Sequence, residues 1–156
     1  MAGRIDAHLK AKGIELPDAS TPAANYVPFV RSGRLVYVSG QVSQWNGERR
    51  FIGKLGAEFG VGEGQQAARL CALNLVAHAR AAADGDLDRL RVIRLTGYVN
   101  SAPDFTSQPQ VVNGASDAMV EIFGDAGRHA RSAVGVASLP GGVAVEVEAI
   151  FEIAEP

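Results

Sequence analysis

The C-terminal stretch RSAVGVASLPGGVAVEVEAIFEI, residues 131–153, reads as two strands around a turn. Arg131–Ala137 is a short run of small and β-branched residues. Leu139, Pro140, Gly141 and Gly142 then reverse the chain. From Val143 to Ile153 the pattern has period two. Val143, Val145, Val147, Ala149 and Phe151 share one face, and Ala144, Glu146, Glu148, Ile150 and Glu152 share the other.

Working outward, the segment from about Thr106 to Phe123 has helical spacing, with Val112, Ser116, Met119 and Phe123 along one side. Ser107 is placed to cap it, Pro109 suits its first turn, and Gly124 and Gly127 end it. Arg91–Asn100 alternates as a strand. Before it, Glu63–Ala83 is a long helix whose stripe is Ala68, Cys71, Leu75, Val76 and Ala79. Cys71 in that stripe reads as a small buried hydrophobe. Tyr26–Val30 and Leu35–Ser39, split by Ser32 and Gly33, read as a hairpin, with Val42–Trp45 as an extension and Asn46-Gly47 as a turn. Gly53, Gly56, Gly60, Gly62 and Gly64 read as a surface loop. A phosphate cradle there lacks the following Gly-Lys-Ser/Thr and a feeding strand. Ile5, Leu9 and Gly13 predict a short N-terminal helix, followed by a connector through Pro17 and Pro22.

The order β-β-(β)-α-β-α-β-β predicts an α+β domain, one mixed sheet with both helices on one face. The other face then needs a cover. If the glutamates of the last strand are not outermost, Val143, Val145, Val147 and Phe151 would be exposed there, and self-association would bury them. The expected organisation is a single domain over residues 1–156 with a helical extension over about 1–20.

The 156 residues carry 15 Lys+Arg against 17 Asp+Glu, a net charge of −2, with 47% hydrophobic and 21% charged residues. That is a folded chain rather than a disordered one, and it speaks against a polyphosphate-binding surface. The lone Cys71 excludes an intrachain disulfide and a cysteine zinc cage. No apolar run spans a bilayer and the start lacks a secretory h-region, so a cytoplasmic location is expected, without a membrane partner. The histidines, His8, His78 and His129, have no metal-ligand spacing, so no metal is expected. Ser39 sits outside any Gly-x-Ser-x-Gly elbow, and no dinucleotide fingerprint occurs.

Arg131 opens an otherwise apolar strand. By position it is either a snorkelling strand-end residue or a receptor for an anion. Glu146, among valines, is either a solvated edge residue or a functional carboxylate.

The run His129, Arg131-Ser-Ala-Val-Gly-Val-Ala, Leu139-Pro140 and Val145-Glu146-Val-Glu148-Ala resembles the C-terminal signature of the Rid family. These are the reactive intermediate deaminases, also called YjgF-like and formerly endoribonuclease L-PSP. Tyr26-Val27 through Gly33 to Val38-Ser39-Gly40-Gln41 resembles the family's first hairpin, and Val112-Asn113 its second helix. With the helix around Asn74, the resemblance covers roughly residues 24–153. His129 stands where the family usually has Pro or Ala, and Ala133 where many deaminating members have cysteine.

The resemblance implies a chorismate-mutase-like fold and a homotrimer whose sheets form a central barrel, with clefts between subunits. It implies hydrolysis of 2-enamino or 2-imino acids such as 2-aminoacrylate to a 2-keto acid and ammonia, without cofactor or metal. Arg131 would bind the substrate carboxylate. Tyr26, Ser39, Gly40, Asn113 and Ala133 would line the cleft, and Glu146 would position or activate water. In the free site Glu146, water or a buffer anion would be expected against Arg131. Two other readings are binding of a small carboxylate without turnover, for which Ala133 speaks, and RNA cleavage. The acidic charge balance weighs against nucleic acid as a partner.

Overall fold

The hairpin at the start of the sheet sets its register. Gly33 takes a φ of 62° and closes the turn between β1 (Phe29–Ser32) and β2 (Leu35–Val42), where Ser32 pairs with Leu35. The strand thus lies later than the expected Tyr26–Val30, because the turn fixes pairing outward from Ser32 and Pro28 has no N–H for a ladder. The structure is a computed structural model that describes residues 3–19 and 24–155; Pro22 of the expected connector lies outside these.

After β2 come the two-residue strands β3 (Gln44–Trp45) and β4 (Glu48–Arg49). Asn46 and Gly47 between them have φ of 47° and 85°, the left-handed pair that such a turn requires. Helix α1 (Arg4–Lys12) ends on left-handed Gly13, as the sequence predicts. The Asp88 carboxylate accepts from the backbone N–H of Arg4 and Ile5 at 2.7 and 2.8 Å, so the extension is docked at its positive end.

Helix α2 (Val61–Ala82) begins two residues before the expected Glu63. Gly62 therefore belongs to the helix rather than to the loop, and Gly64, which fell in both the expected loop and the expected helix, is helical. Gly64 is buried where a Cβ would meet Leu55 and Val111 at 2.7 and 3.0 Å, so its absence of side chain serves packing. Asn74 on α2 donates to the carbonyls of Gln44 and Leu70, both at 2.8 Å, and ties β3 to the helix.

Strand β5 (Leu90–Asn100), helix α3 (Gln108–Phe123), strand β6 (Ala130–Val136) and strand β7 (Val145–Ile153) complete the chain. Ser107 occupies the cap position of α3, but its side chain makes no capping hydrogen bond. The sheet runs β1-β2-β7-β5-β6, antiparallel except for the parallel pair β5–β6. Parallel pairing follows from α3, which carries the chain back over one face. Strands β6 and β7, consecutive in the chain, are therefore not neighbours, since β5 lies between them.

Helices α2 and α3 cover one face of this α+β sheet. They cross closely: a Cβ on Gly114 would sit 2.1 Å from the Gln65 carbonyl oxygen. The covered face of β7 is Val145, Val147, Ala149, Phe151 and Ile153, all buried, with Val143 buried just before the strand. The glutamate side is outermost. Of the two arrangements that the alternation leaves open, the structure takes the one with the glutamates outermost and the valines covered, because hydrophobic burial under two helices took the uniformly apolar side. The open face instead carries Tyr37, Arg94, Thr96, Glu148 and Ile150 around a shallow cavity of about 210 Å³. Among the described residues no helix is long and apolar enough to cross a membrane.

Candidate functional site

Arg131 stands on the edge strand β6, level with buried Leu95 of β5 and hence on the helix-covered side. There its Nη1 donates to Asn113 Oδ1 at 2.8 Å and to Ser116 Oγ at 3.2 Å. Asn113 and Ser116 are three residues apart on α3, so one helix side presents both oxygens. Ser116 Oγ lies 2.9 Å from His129 Nε2, and His129 Nδ1 lies 2.6 Å from the Gly127 carbonyl oxygen. Ala133 follows on the same side of β6, opposite Gly97 and packed partly against the core.

Both partners of the guanidinium are neutral oxygens, and no ion pair involves Arg131 among the described residues. The two protons of Nη1 are engaged. Nε and Nη2, the edge that matches a planar carboxylate in two parallel bonds, have no partner among those residues.

Glu146 lies elsewhere. It pairs with Val42 on one side and Tyr98 on the other, on the open face of the sheet. Within one chain it does not meet Arg131. Gly40, at the irregularity between Val38 and Gln41, lets it close in: a Cβ on Gly40 would sit 2.9 Å from Glu146 Oε2. Ser39 donates from its hydroxyl to the Val27 carbonyl and from its N–H to the Pro28 carbonyl, both at 2.9 Å. These bonds hold the segment bearing Tyr26, which is 56% exposed, beside β2. Burial first, then the like charge of Glu148, push the Glu146 carboxyl above its ordinary range. Glu148 accepts from the Tyr98 hydroxyl at 2.7 Å, which raises the phenol.

The predicted residues thus fall into two groups. Arg131, Asn113 and Ala133 form one on the β6–α3 edge. Glu146, Gly40, Ser39 and Tyr26 form the other on the β1-β2-β7 side. The first can hold an anion, and the second offers a carboxyl with an elevated affinity for its proton. Among the described residues no three metal-ligating side chains cluster. Ser116 and His129 join the first group without having been singled out for it. The i, i+3 spacing of Asn113 and Ser116, and the two-residue spacing of His129 and Arg131, are the signals that place them together.

A family model described as "YjgF/chorismate_mutase-like, putative endoribonuclease" matches residues 6–148. The chain belongs to that family. This YjgF-like chain is 52% identical over 154 residues to the protein TCP17 of Trypanosoma cruzi, spanning 97% of this chain and 96% of that one. Among solved structures it is similar to a protein of unknown function from Agrobacterium tumefaciens, with 48% identity, a TM-score of 0.89, and 96% and 92% of the two chains covered. It is also similar to a "putative endoribonuclease" from Shewanella oneidensis, with 34% identity, a TM-score of 0.92, and 97% and 100% covered. E. coli TdcF, whose structure holds bound serine, matches at 28% identity with a TM-score of 0.59, covering 90% and 94%.

Proposed function

We propose that this YjgF-like protein hydrolyses reactive 2-enamino and 2-imino acids to 2-keto acids and ammonia, without a cofactor, at clefts between the subunits of a homotrimer. The observation that carries the reading is the Arg131 guanidinium, held at Nη1 by Asn113 and Ser116, with its Nε–Nη2 edge left over for a planar carboxylate. Charge-assisted bonds of this kind contribute about 1.5–3 kcal/mol each. The bound serine in TdcF supports a small amino-acid-like ligand.

The separation of the two residue groups supports a shared cleft. Arg131 is on an edge strand and Glu146 on the open face, so a second copy is needed to bring a Glu146 opposite an Arg131. Such an assembly also covers the open face with Tyr37, Ile150 and Val134 at its surface.

The chemistry then runs as follows. A proton added to the methylene carbon of 2-aminoacrylate gives the iminium. Water adds to C2, forming the new C–O bond, while the nitrogen takes up a proton that comes from the attacking water. The C2–N bond breaks, ammonia leaves with its electron pair, and the hydroxyl proton departs as the ketone forms. Glu146, whose burial favours its protonated form, gives a proton in one step and takes one in another. Arg131 holds the carboxylate still, which supplies the orientation term.

A second reading, ligand binding without turnover, is favoured by Ala133, which provides no thiol at that position. Ammonia release from freshly generated 2-aminoacrylate separates the two. Turnover that depends on Arg131 supports hydrolysis, whereas pyruvate binding without ammonia release overturns it in favour of the binding reading.

A further inference from the structure

The chain Arg131–Ser116–His129–Gly127 has one consistent direction. The Gly127 carbonyl only accepts, so His129 Nδ1 carries the proton that joins them at 2.6 Å. Ser116 Oγ accepts from Arg131 Nη1 at 3.2 Å and so directs its own proton at His129 Nε2, 2.9 Å away. In the neutral ring that nitrogen is the unprotonated one and accepts.

The arrangement does more than satisfy polar groups. The long arginine side chain would otherwise rotate about its terminal bonds on an edge strand. Two oxygens on one side of α3 engage both protons of Nη1, and His129 keeps the Ser116 hydroxyl turned so that its lone pair faces Arg131. What remains for a ligand is the Nε–Nη2 edge in one orientation. We infer that Ser116 and His129 are positioning residues for Arg131, holding the guanidinium so that a ligand carboxylate docks side-on. This inference rests on the anion-binding role of Arg131 proposed above.

The test compares Ser116→Ala, His129→Phe, His129→Gln and Arg131→Ala by calorimetric titration with pyruvate and by the 2-aminoacrylate assay. Thermal unfolding and light scattering verify that each variant is folded and assembled. Loss of one orienting hydrogen bond is expected to weaken pyruvate binding about three- to tenfold in Ser116→Ala and His129→Phe. KM should rise by a similar factor with kcat little changed, because carboxylate binding is common to ground and transition states. His129→Gln, whose side-chain oxygen can still accept from Ser116, should recover most of the affinity. If Arg131→Ala loses binding while Ser116→Ala and His129→Phe bind like the parent, the positioning role is wrong and the site assignment stands. If Arg131→Ala also binds like the parent, both fall. A ¹⁵N spectrum of the histidine rings in the unsubstituted protein gives an independent check that does not depend on variant folding. The Nδ1–H tautomer is expected for His129, and an Nε2–H tautomer would overturn the inference.

Discussion

Arg131 and Glu146 stand on opposite faces of one sheet, separated by strand β5. Arg131 is level with core Leu95, whereas Glu146 is level with Tyr98 on the open face. Two residues that the family resemblance joins in one cleft are thus held apart in a single chain, and the proposed chemistry depends on another copy.

Assembly is therefore the first expectation. Light scattering should give three times the chain mass of 16.3 kDa. A species of one chain mass that still releases ammonia from 2-aminoacrylate would refute the shared cleft.

Arg131 should be the most sensitive position. Arg131→Lys keeps the charge and loses the planar fork, while Arg131→Ala loses both. Removing one partner of a charge-assisted pair costs about 2–5 kcal/mol, or roughly 30- to 4000-fold in affinity. Pyruvate titration should show both variants weakened, with Ala the worse, while circular dichroism shows both folded.

Glu146 predicts opposite effects on stability and on turnover. Its folded-state carboxyl titrates above the unfolded one, first through burial and then through Glu148. The folded chain therefore favours the protonated form. That stabilising contribution is complete below the ordinary carboxylate value near 4.5 and is lost as pH rises through the elevated folded value. Glu146→Gln cannot ionise, so denaturant titrations should show its stability gaining on the parent's as pH rises through that window. Its ammonia release should fall. A parent that gains on the glutamine variant over the same window would contradict the assigned burial.

Cys71 should be dispensable. It is fully buried on α2, with its sulfur 3.4 Å from the Val145 carbonyl oxygen. Burial, and then Glu146, push its thiol well above the ordinary range, which suppresses the nucleophilic thiolate. Cys71→Ala should keep turnover, with a packing cost of about 1 kcal/mol in denaturant unfolding. Loss of ammonia release from a folded, assembled Cys71→Ala protein would show a chemical role.

Gly114 should tolerate no side chain. The 2.1 Å approach of its would-be Cβ to the Gln65 carbonyl oxygen is to backbone, which cannot swing aside. Gly114→Ala must separate α2 from α3 and should cost about 1–3 kcal/mol or more. The thermal midpoint measures it.

Much of this molecule was determined by its sequence. Helical spacing in α2 and α3, strict alternation in β7 and the Asn46-Gly47 turn are local signals, because side-chain period and backbone sterics act over a few residues. The same local character explains the errors. Gly62 and Gly64 read as loop because glycine is a poor helix former, yet at Gly64 packing against Leu55 and Val111 outweighs that preference, and Gly62 lies in the same first turn with open space around it. The expected strand at Tyr26 moved to Phe29–Ser32 because pairing propagates from the Gly33 turn. Arg131, Asn113, Ser39, Gly40 and Glu146 were legible from motif resemblance, but their grouping was not. Which side of β7 lies under the helices, the insertion of β5 between β7 and β6, and the link from Arg131 through Ser116 to His129 all depend on long-range register. Alternation divides a strand into two faces without saying which is covered. Only the packing of α2 and α3 made that choice, burying the valines and leaving Glu146 on the side away from Arg131.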